Sequence, residues 1–216
     1  MLVNPNTSTA TTRMMTTLAR RALTGTGLRV RGATAAHGPA MLTDPAALRA
    51  AAPHTVAAAR AALAGGDGAA LIVGAFGDPG VAALRAALGD ALPVVGIGEA
   101  ALAEAAAGGR RFGIATTTPR LAAAIDARVE HLGLAASYTG TRFTAADPER
   151  LAAHPGPLLA ALEGAALACV RRDGAEAVVI GGGPLGDAAE SLCTRLPVPV
   201  IAPVPAACRT ITRLLT

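Results

Sequence analysis

The sequence predicts an α/β protein made of two similar halves, each with a mainly parallel sheet flanked by helices. Short apolar runs alternate with longer helical patterns along all 216 residues, as in βαβ units. The alternation begins again at the segment RRFGIATTTPR, residues 110–120. In both halves a glycine-rich turn follows the third strand, GAFGDPG at 74–80 and GGGPLGD at 181–187. This repetition predicts two pseudo-equivalent subdomains.

The elements are expected in the same order in each half. In the first half we predict strands near 1–3, 28–35, 69–74 and 93–97 and helices near 8–24, 45–64, 79–88 and 98–107. In the second half we predict strands near 111–116, 136–142, 176–181 and 198–201 and helices near 119–133, 148–172, 184–195 and 204–214. The N-terminal half would span residues 1–108 and the C-terminal half 109–203, with the last helix, about 204–216, packing back on the first half.

Composition excludes several classes of protein. A hydrophobic content of 52% is enough for a substantial core. No uninterrupted run of about 18 strongly apolar residues predicts a membrane span, and the N-terminus lacks the pattern of a signal peptide, so we expect a cytoplasmic protein. All 19 basic residues are arginines spread along the chain, and only four aromatic residues could stack on bases. We therefore expect neither a nucleic-acid partner nor a membrane.

The three cysteines, Cys169, Cys193 and Cys208, are odd in number and lack the spacing of metal ligands. Two of them fall in apolar helical patterns. We expect all three to be buried, reduced thiols of a cytosolic protein.

Four loops follow predicted strands and precede predicted helices: NPNTS at 4–8, GAFGDPG at 74–80, TTTP at 116–119 and GGGPLGD at 181–187. Ligands of open α/β sheets bind outside the carboxyl ends of the strands, which places these loops at a cleft between the halves. Helix N-termini offer unpaired N–H groups and a positive dipole end. The loops therefore predict a site for a carboxylate or another planar oxyanion. Alternatively, the same residues are ordinary helix caps.

Three further side chains are of interest. Asp78, before Pro79, is either an N-cap or a participant in chemistry. Glu99 suits a cap or a salt bridge at a helix start as well as a substrate contact. His37 follows a strand and could reach the rim of the site, and histidine is the natural general base near neutral pH.

Five motifs together resemble the aspartate/glutamate/hydantoin racemase superfamily, and most closely its hydantoin racemase branch: VNPNTS, GAFGDPG, PVVGIGEAA, RRFGIATTTP and PVPVIAPVPAA. They cover nearly the whole chain in order. The resemblance implies a pseudo-symmetric pair of α/β subdomains, a substrate between them, and no metal or cofactor. It also implies one cysteine from each half at the substrate's α-carbon, one thiolate removing a proton and the opposite thiol returning one. We expect a homo-oligomer.

This sequence departs from that pattern at both thiol positions. The first family cysteine corresponds to Ala75 and the second to Gly182, so the two-thiol mechanism is not available. Another residue could act instead, with Asp78 and His37 as candidates. The protein could otherwise be a binding or repurposed, lyase-like relative without racemase turnover, or carry inactivating substitutions. The expected ligand is a small compound with a carboxylate or imide group. Its binding residues are expected to be Asn6, Thr7, Ala75, Phe76, Thr116, Thr117, Gly182, Gly183 and Pro184.

Overall fold

The computed structural model describes residues 1–66 and 68–216. By the contacts within it, the chain divides into unit 1, Met1–Ala100 with Val204–Thr216, and unit 2, Ala101–Pro203. Each unit contains a four-stranded sheet in which every pairing is parallel. The predicted α/β class with two mainly parallel sheets is confirmed. None of the helices in the described part of the chain is long and apolar enough to cross a membrane.

The sheet of unit 1 has the strand order β2-β1-β3-β4. Its strands are β1 (Leu2–Asn4), β2 (Gly32–Thr34), β3 (Leu71–Val73) and β4 (Val94–Gly96). The helices are α1 (Thr9–Ala22), α2 (Pro45–Leu63), α3 (Val81–Leu88), α4 (Ile97–Ala105), which crosses the unit boundary, and α9 (Pro203–Leu215). The central strands β1 and β3 are buried throughout, which explains why all their residues except Asn4 are apolar.

The sheet of unit 2 repeats this order as β6-β5-β7-β8. Its strands are β5 (Phe112–Thr116), β6 (Tyr138–Phe143), β7 (Ala177–Ile180) and β8 (Val200–Ile201). The helices are α5 (Ala122–His131), α6 (Pro148–Ala152), α7 (Pro155–Arg171) and α8 (Gly186–Leu192). Residues of α7 and α8, including Leu162, Cys169 and Leu192, form one core cluster with Val178 and Ile180 of β7.

Most predicted elements are observed with bounds shifted by a few residues, and two differ more strongly. The helix predicted over 148–172 is two helices, because His154 adopts φ −133° and ψ 91° before Pro155. Proline disfavours helical geometry in the residue that precedes it. The strand predicted over 28–35 is shorter, since only Gly32–Thr34 pairs with β1.

Asp78 connects the turn after β3 to the start of α4. It is the only non-glycine residue with positive φ, 50°, in the described chain, a conformation that aspartate tolerates better than most residues. Its two carboxylate oxygens accept hydrogen bonds from the backbone N–H of Gly98 and of Glu99, each at 2.8 Å. The helix that follows Asp78, α3, is instead preceded by Gly80 without a side-chain cap. Asp78 therefore caps the neighbouring helix α4.

Glu99 completes this capping arrangement from within α4. Its Oε1 atom accepts a hydrogen bond from the N–H of Gly96 at 3.0 Å, as the glutamate of a capping box does. Gly96 has no side chain that could cap the helix, so Asp78 supplies the acceptor from another loop. Glu99 also forms an ion pair with Arg85 of α3, and the Arg85 Nη2 atom donates to the Val94 carbonyl at 2.7 Å.

The close approach of the two loops requires Gly96 and Gly98. A Cβ atom at Gly98 would overlap the Phe76 carbonyl oxygen, and one at Gly96 would overlap the Asp78 carboxyl group. The first clash is with backbone and cannot be relieved by a rotamer change. The Gly-Ile-Gly-Glu sequence after β4 is therefore the steric counterpart of the turn after β3.

We predict that Gly98→Ala lowers the free energy of unfolding by at least about 2 kcal/mol, because overpacking forces the backbone to shift. Gly164→Ala is the matched control. Gly164 lies inside α7, and a Cβ atom there would meet no atom within 4 Å. Alanine should stabilise that helix by up to about 1 kcal/mol. Urea unfolding followed by circular dichroism measures both changes. Equal stabilities of the two variants would contradict the predicted steric requirement.

Candidate functional site

The loop after β1 is organised by the side chain of Asn4, which is completely buried. Its Nδ2 atom lies 2.8 Å from Asn6 Oδ1 and 3.0 Å from Thr12 Oγ1, and its Oδ1 atom accepts from the N–H of Asn6 at 3.2 Å. Asn6 Oδ1 accepts a second hydrogen bond, from the N–H of Ser8 at 2.9 Å. The Asn6 amide oxygen therefore has a structural role, while its NH₂ group donates to no described residue.

Thr7 and Asn6 lie next to each other between the end of β1 and the start of α1. The Thr7 N–H donates to the carbonyl of Pro39 at 3.3 Å, and Ser8 caps α1 by accepting from the N–H of Thr11. Two predicted binding residues thus lie in a loop whose backbone is held from both sides. Of the residues in this loop, Ser8 is the one that caps the helix.

Ala75 and Phe76 begin the turn after β3. The Ala75 carbonyl accepts a hydrogen bond from the N–H of Asp78 at 2.9 Å, which closes the turn, and the Ala75 methyl group is buried. Phe76 is half-buried. Neither residue carries a group that can exchange a proton. The one acid of this turn, Asp78, accepts hydrogen bonds from the N-terminus of α4.

His37 lies after β2, the strand beside β1, and its side chain is exposed. Its ring centroid is 6.3 Å from that of His54 in α2. In unit 1 the structure therefore brings Asn6, Ala75 and His37 to loops at the carboxyl end of one sheet. This is the arrangement that the topology of a parallel sheet requires.

In unit 2, Thr116 is the last residue of β5 and connects it to β7. Its hydroxyl donates to the carbonyl of Gly181 at 2.6 Å and lies 3.3 Å from the Thr118 hydroxyl. The next residue, Thr117, is buried, and its hydroxyl bonds to no residue among those described. Both threonines were predicted as binding residues. The Thr116 hydroxyl is already used as a donor to Gly181, whereas the Thr117 hydroxyl has no hydrogen-bond partner among the described residues.

The turn after β7 contains Gly182, Gly183 and Pro184. Gly182 has φ 167° and ψ 134°, extended backbone that any residue can adopt. The atoms nearest to a Cβ there would belong to the side chain of Leu185, at 3.1 Å, which would have to shift slightly. Pro184 lies in the short 3₁₀ turn before α8 and is exposed. The backbone at Gly182 is thus compatible with a side chain such as cysteine.

The three cysteines lie away from these loops in the sequence, inside or at the end of helices. Cys169 in α7 and Cys208 in α9 are buried. Burial raises the pKa of the Cys169 thiol to about 11, with a smaller contribution from the negative charge of Asp173. Burial likewise raises the pKa of Cys208 to about 11. Cys193 is exposed, so the expectation of three buried thiols is wrong for this residue.

One surface groove, of about 370 Å³, lies between α5 and β6. Asp126 and Glu130 line it, and the Tyr138 hydroxyl donates to Asp126 at 2.8 Å. None of the predicted site residues lines this groove. In residues 1–66 and 68–216, no three His, Cys, Asp or Glu side chains are grouped to hold a metal ion.

Two polar residues of these loops were missed by the sequence reasoning. Asn4 was counted in its loop without a role, although it holds that loop together. Thr144, directly after β6, is buried and was not considered at all. The available signal was its position, since a polar residue at the carboxyl end of a parallel strand lies at the edge where ligands bind.

Comparison with known proteins gives a consistent assignment. The Asp/Glu/Hydantoin racemase family model matches residues 1–211. The chain is 29% identical over 209 residues to the hydantoin racemase of Paenarthrobacter aurescens, covering 97% of this chain and 87% of that protein. The solved allantoin racemase from Klebsiella pneumoniae is 26% identical with a TM-score of 0.90, covering 99% of this chain and 86% of that one.

The solved allantoin racemase from Pseudomonas fluorescens is similar to the same degree. It is 27% identical with a TM-score of 0.89, and the match covers 99% of this chain and 88% of that chain. The family match extends through both sheets and all the loops described above. The chain therefore belongs to the Asp/Glu/hydantoin racemase family.

Proposed function

We propose that this protein is a cofactor-independent racemase or isomerase that acts on a small hydantoin-type or carboxylate compound, at an acidic carbon next to a carbonyl group. One observation supports this most strongly. Each sheet ends in polar groups with hydrogen-bonding capacity left over, the Asn6 amide in unit 1 and the Thr117 hydroxyl in unit 2. Similarity to hydantoin and allantoin racemases points to the same ligand class.

The proposed reaction removes one proton from a carbon atom and returns another to the opposite face of the same carbon. A base removes it from the carbon, the electron pair delocalises onto the neighbouring carbonyl oxygen, and an acid returns a proton to the opposite face. Hydrogen-bond donors that face the developing oxyanion lower the barrier. The Asn6 NH₂ group is suited to this role, because its own oxygen is held by Asn4 and Ser8.

The proton-transfer groups must differ from a pair of thiols if Ala75 and Gly182 occupy the family's cysteine positions. The two candidates for the base, Asp78 and His37, differ in their surroundings. Asp78 is 6% exposed and both its oxygens accept N–H groups of α4. The His37 imidazole is exposed. We therefore assign proton removal to His37, with solvent water as the acid at the opposite face, and a positioning role to Asp78.

This assignment predicts that the protein accelerates hydrogen–deuterium exchange at C5 of allantoin and of 5-methylhydantoin in heavy water, above the rate without protein. His37→Gln should lower the protein-dependent exchange by at least about a hundredfold, the usual contribution of a general base. His54→Gln is the matched control, since His54 neighbours His37 but lies within α2. NMR of the C5 proton measures the rates.

The outcomes separate the competing functions. Binding of these compounds without any exchange would contradict an enzyme and favour a non-catalytic binding protein. Loss of carbon dioxide from substituted malonates, without exchange at C5 of the hydantoins, would favour the repurposed, lyase-like alternative. Equal exchange by wild type and His37→Gln would remove His37 from the proposal.

A second prediction concerns the native cysteines. Iodoacetamide at about pH 8 should modify Cys193 and leave Cys169 and Cys208 unmodified in the folded protein, because only thiolates react and burial raises the pKa of the two others. All three should react in urea. Mass spectrometry gives the count, and exchange activity should survive modification of Cys193. Inactivation by this reaction would instead assign a catalytic thiol to Cys193.

A third prediction tests the proposed thiol positions. The double variant Ala75→Cys, Gly182→Cys should racemise optically active allantoin at least about tenfold faster than the parent, because proton removal and return then have matched acid–base groups. Each single variant and the Ala75→Ser, Gly182→Ser double variant are controls without a thiol pair. Loss of optical rotation measures the rate. If the double variant is folded and has two additional reactive thiols but racemises allantoin no faster than the parent, the assignment of these positions is wrong.

A further inference from the structure

The groove between α5 and β6 has an apolar floor and an acidic rim. The floor is made of buried and half-buried side chains that are apolar or aromatic: Ala122, Val129, Tyr138 and Phe143. Asp126 and Glu130 lie one turn apart on the same face of α5, and both are exposed. On a chain with a net charge of +4, this pair of carboxylates is a local concentration of negative charge.

Hydrogen bonds hold the groove in shape, and one of its walls is a sheet edge. The Tyr138 hydroxyl donates to Asp126 at 2.8 Å and lies 2.6 Å from the Thr141 hydroxyl. The strand β6 is at the end of its sheet and pairs with β5 alone in the described chain. Edge strands tend to be covered, because their unpaired N–H and C=O groups attract other chains. A partner in the groove would cover this edge.

The helices α1 and α9 of unit 1 form a surface of the opposite charge. They pack together, since the Cys208 Sγ atom of α9 lies 3.9 Å from the Ala19 carbonyl oxygen of α1. Neither helix contains an acidic residue. Their exposed side chains include five arginines: Arg13, Arg20, Arg21, Arg209 and Arg213.

The last turn of α9 adds exposed apolar side chains to this basic surface. Ile211 in the preceding turn is 5% exposed, whereas Leu214 and Leu215 are 58% and 37% exposed. Contiguous exposed apolar surface rimmed by charged residues marks interaction sites. We call Arg213, Leu214 and Leu215 the α9 end.

We propose that the α9 end of one copy of this chain docks into the groove between α5 and β6 of a second copy. Leu214 and Leu215 cover the apolar floor, and the groove volume of about 370 Å³ leaves room for both side chains. Arg213 faces the carboxylates of Asp126 and Glu130. An apolar centre with complementary charges around it is the usual anatomy of a protein interface.

A contact of this kind joins two different surfaces, so it is heterologous and builds rings or open chains of subunits. Each copy carries both surfaces, and the assembly needs no other component. The inference does not depend on the proposed reaction, because no residue of the groove or of the α9 end takes part in it.

Sedimentation velocity over a range of micromolar concentrations, with a reductant present because Cys193 is exposed, tests the contact. The wild-type protein should self-associate. Leu214→Glu, which removes apolar contact and adds a repelling charge, and Glu130→Arg should each weaken the association at least about tenfold. Ala127→Arg is the matched control, because Ala127 is exposed on α5 and does not line the groove. It should associate like the wild type.

Mixing the variants gives a sharper test of which two surfaces meet. Leu214→Glu keeps an intact groove, and Glu130→Arg keeps an intact α9 end. A mixture of these two proteins should therefore form complexes of two chains and nothing larger, although each variant alone stays monomeric. Arg213→Glu should also weaken the association, and combining it with Glu130→Arg in one chain should restore the association to within about threefold of wild type.

Circular dichroism should show that all variants fold, since the altered side chains are exposed. A wild-type protein that stays monomeric at every concentration would overturn the inference. Association that persists in both single variants, or a mixture that does not recombine, would overturn it as well. Monomeric wild type that sediments with phosphatidylglycerol vesicles would instead assign the α9 end to an anionic membrane surface. None of these outcomes changes the exchange at C5 on which the proposed function is tested.

Discussion

The geometry of unit 1 depends on the hydrogen bonds that the Asp78 carboxylate accepts from the start of α4. The carboxylate bridges the turn after β3 and the N-terminus of α4 through two hydrogen bonds of 2.8 Å. Charge-assisted bonds of this kind are stronger than neutral ones, and the helix dipole favours an anion at that end. The bridge requires glycine at positions 96 and 98. The conformation of Ala75 and Phe76 is therefore fixed by a contact made twenty residues later in the chain.

Unit 2 fixes its corresponding edge by a different, uncharged interaction. The Thr116 hydroxyl donates to the carbonyl of Gly181 and connects the central strand β5 to the turn after β7. The two units thus share a strand order, while the loops at the carboxyl edges of their sheets are held by different interactions. In unit 1 an acid holds the loop in place, whereas in unit 2 the buried Thr144 hydroxyl forms no hydrogen bond within the described residues. The repeated topology does not imply two equivalent half-sites.

Sequence reasoning predicted the alternation of elements because apolar periodicity reports burial, which a parallel sheet imposes on β1, β3, β5 and β7. It did not predict the break before Pro155, where one local constraint outweighed a long helical pattern. The role of Asp78 was equally hard to predict. Its sequence neighbour Pro79 indicated a local cap, and the partner helix begins at Ile97. Likewise, the missing partner of Thr144 is visible only when strand register and burial are known.

The chemistry proposed for this family member follows from what each loop retains. Positions 75 and 182 carry no group that titrates, while the Asn6 NH₂ group and the Thr117 hydroxyl bond to no residue in the described part of the chain. In the proposed function, substrate recognition and proton transfer therefore depend on different residues. The buried thiols of Cys169 and Cys208 do not replace the missing pair, because burial raises the pKa of both and both side chains lie buried in helices. Racemisation needs a base on one face of the carbon and an acid on the other, and in the proposed function the exposed His37 imidazole supplies the base.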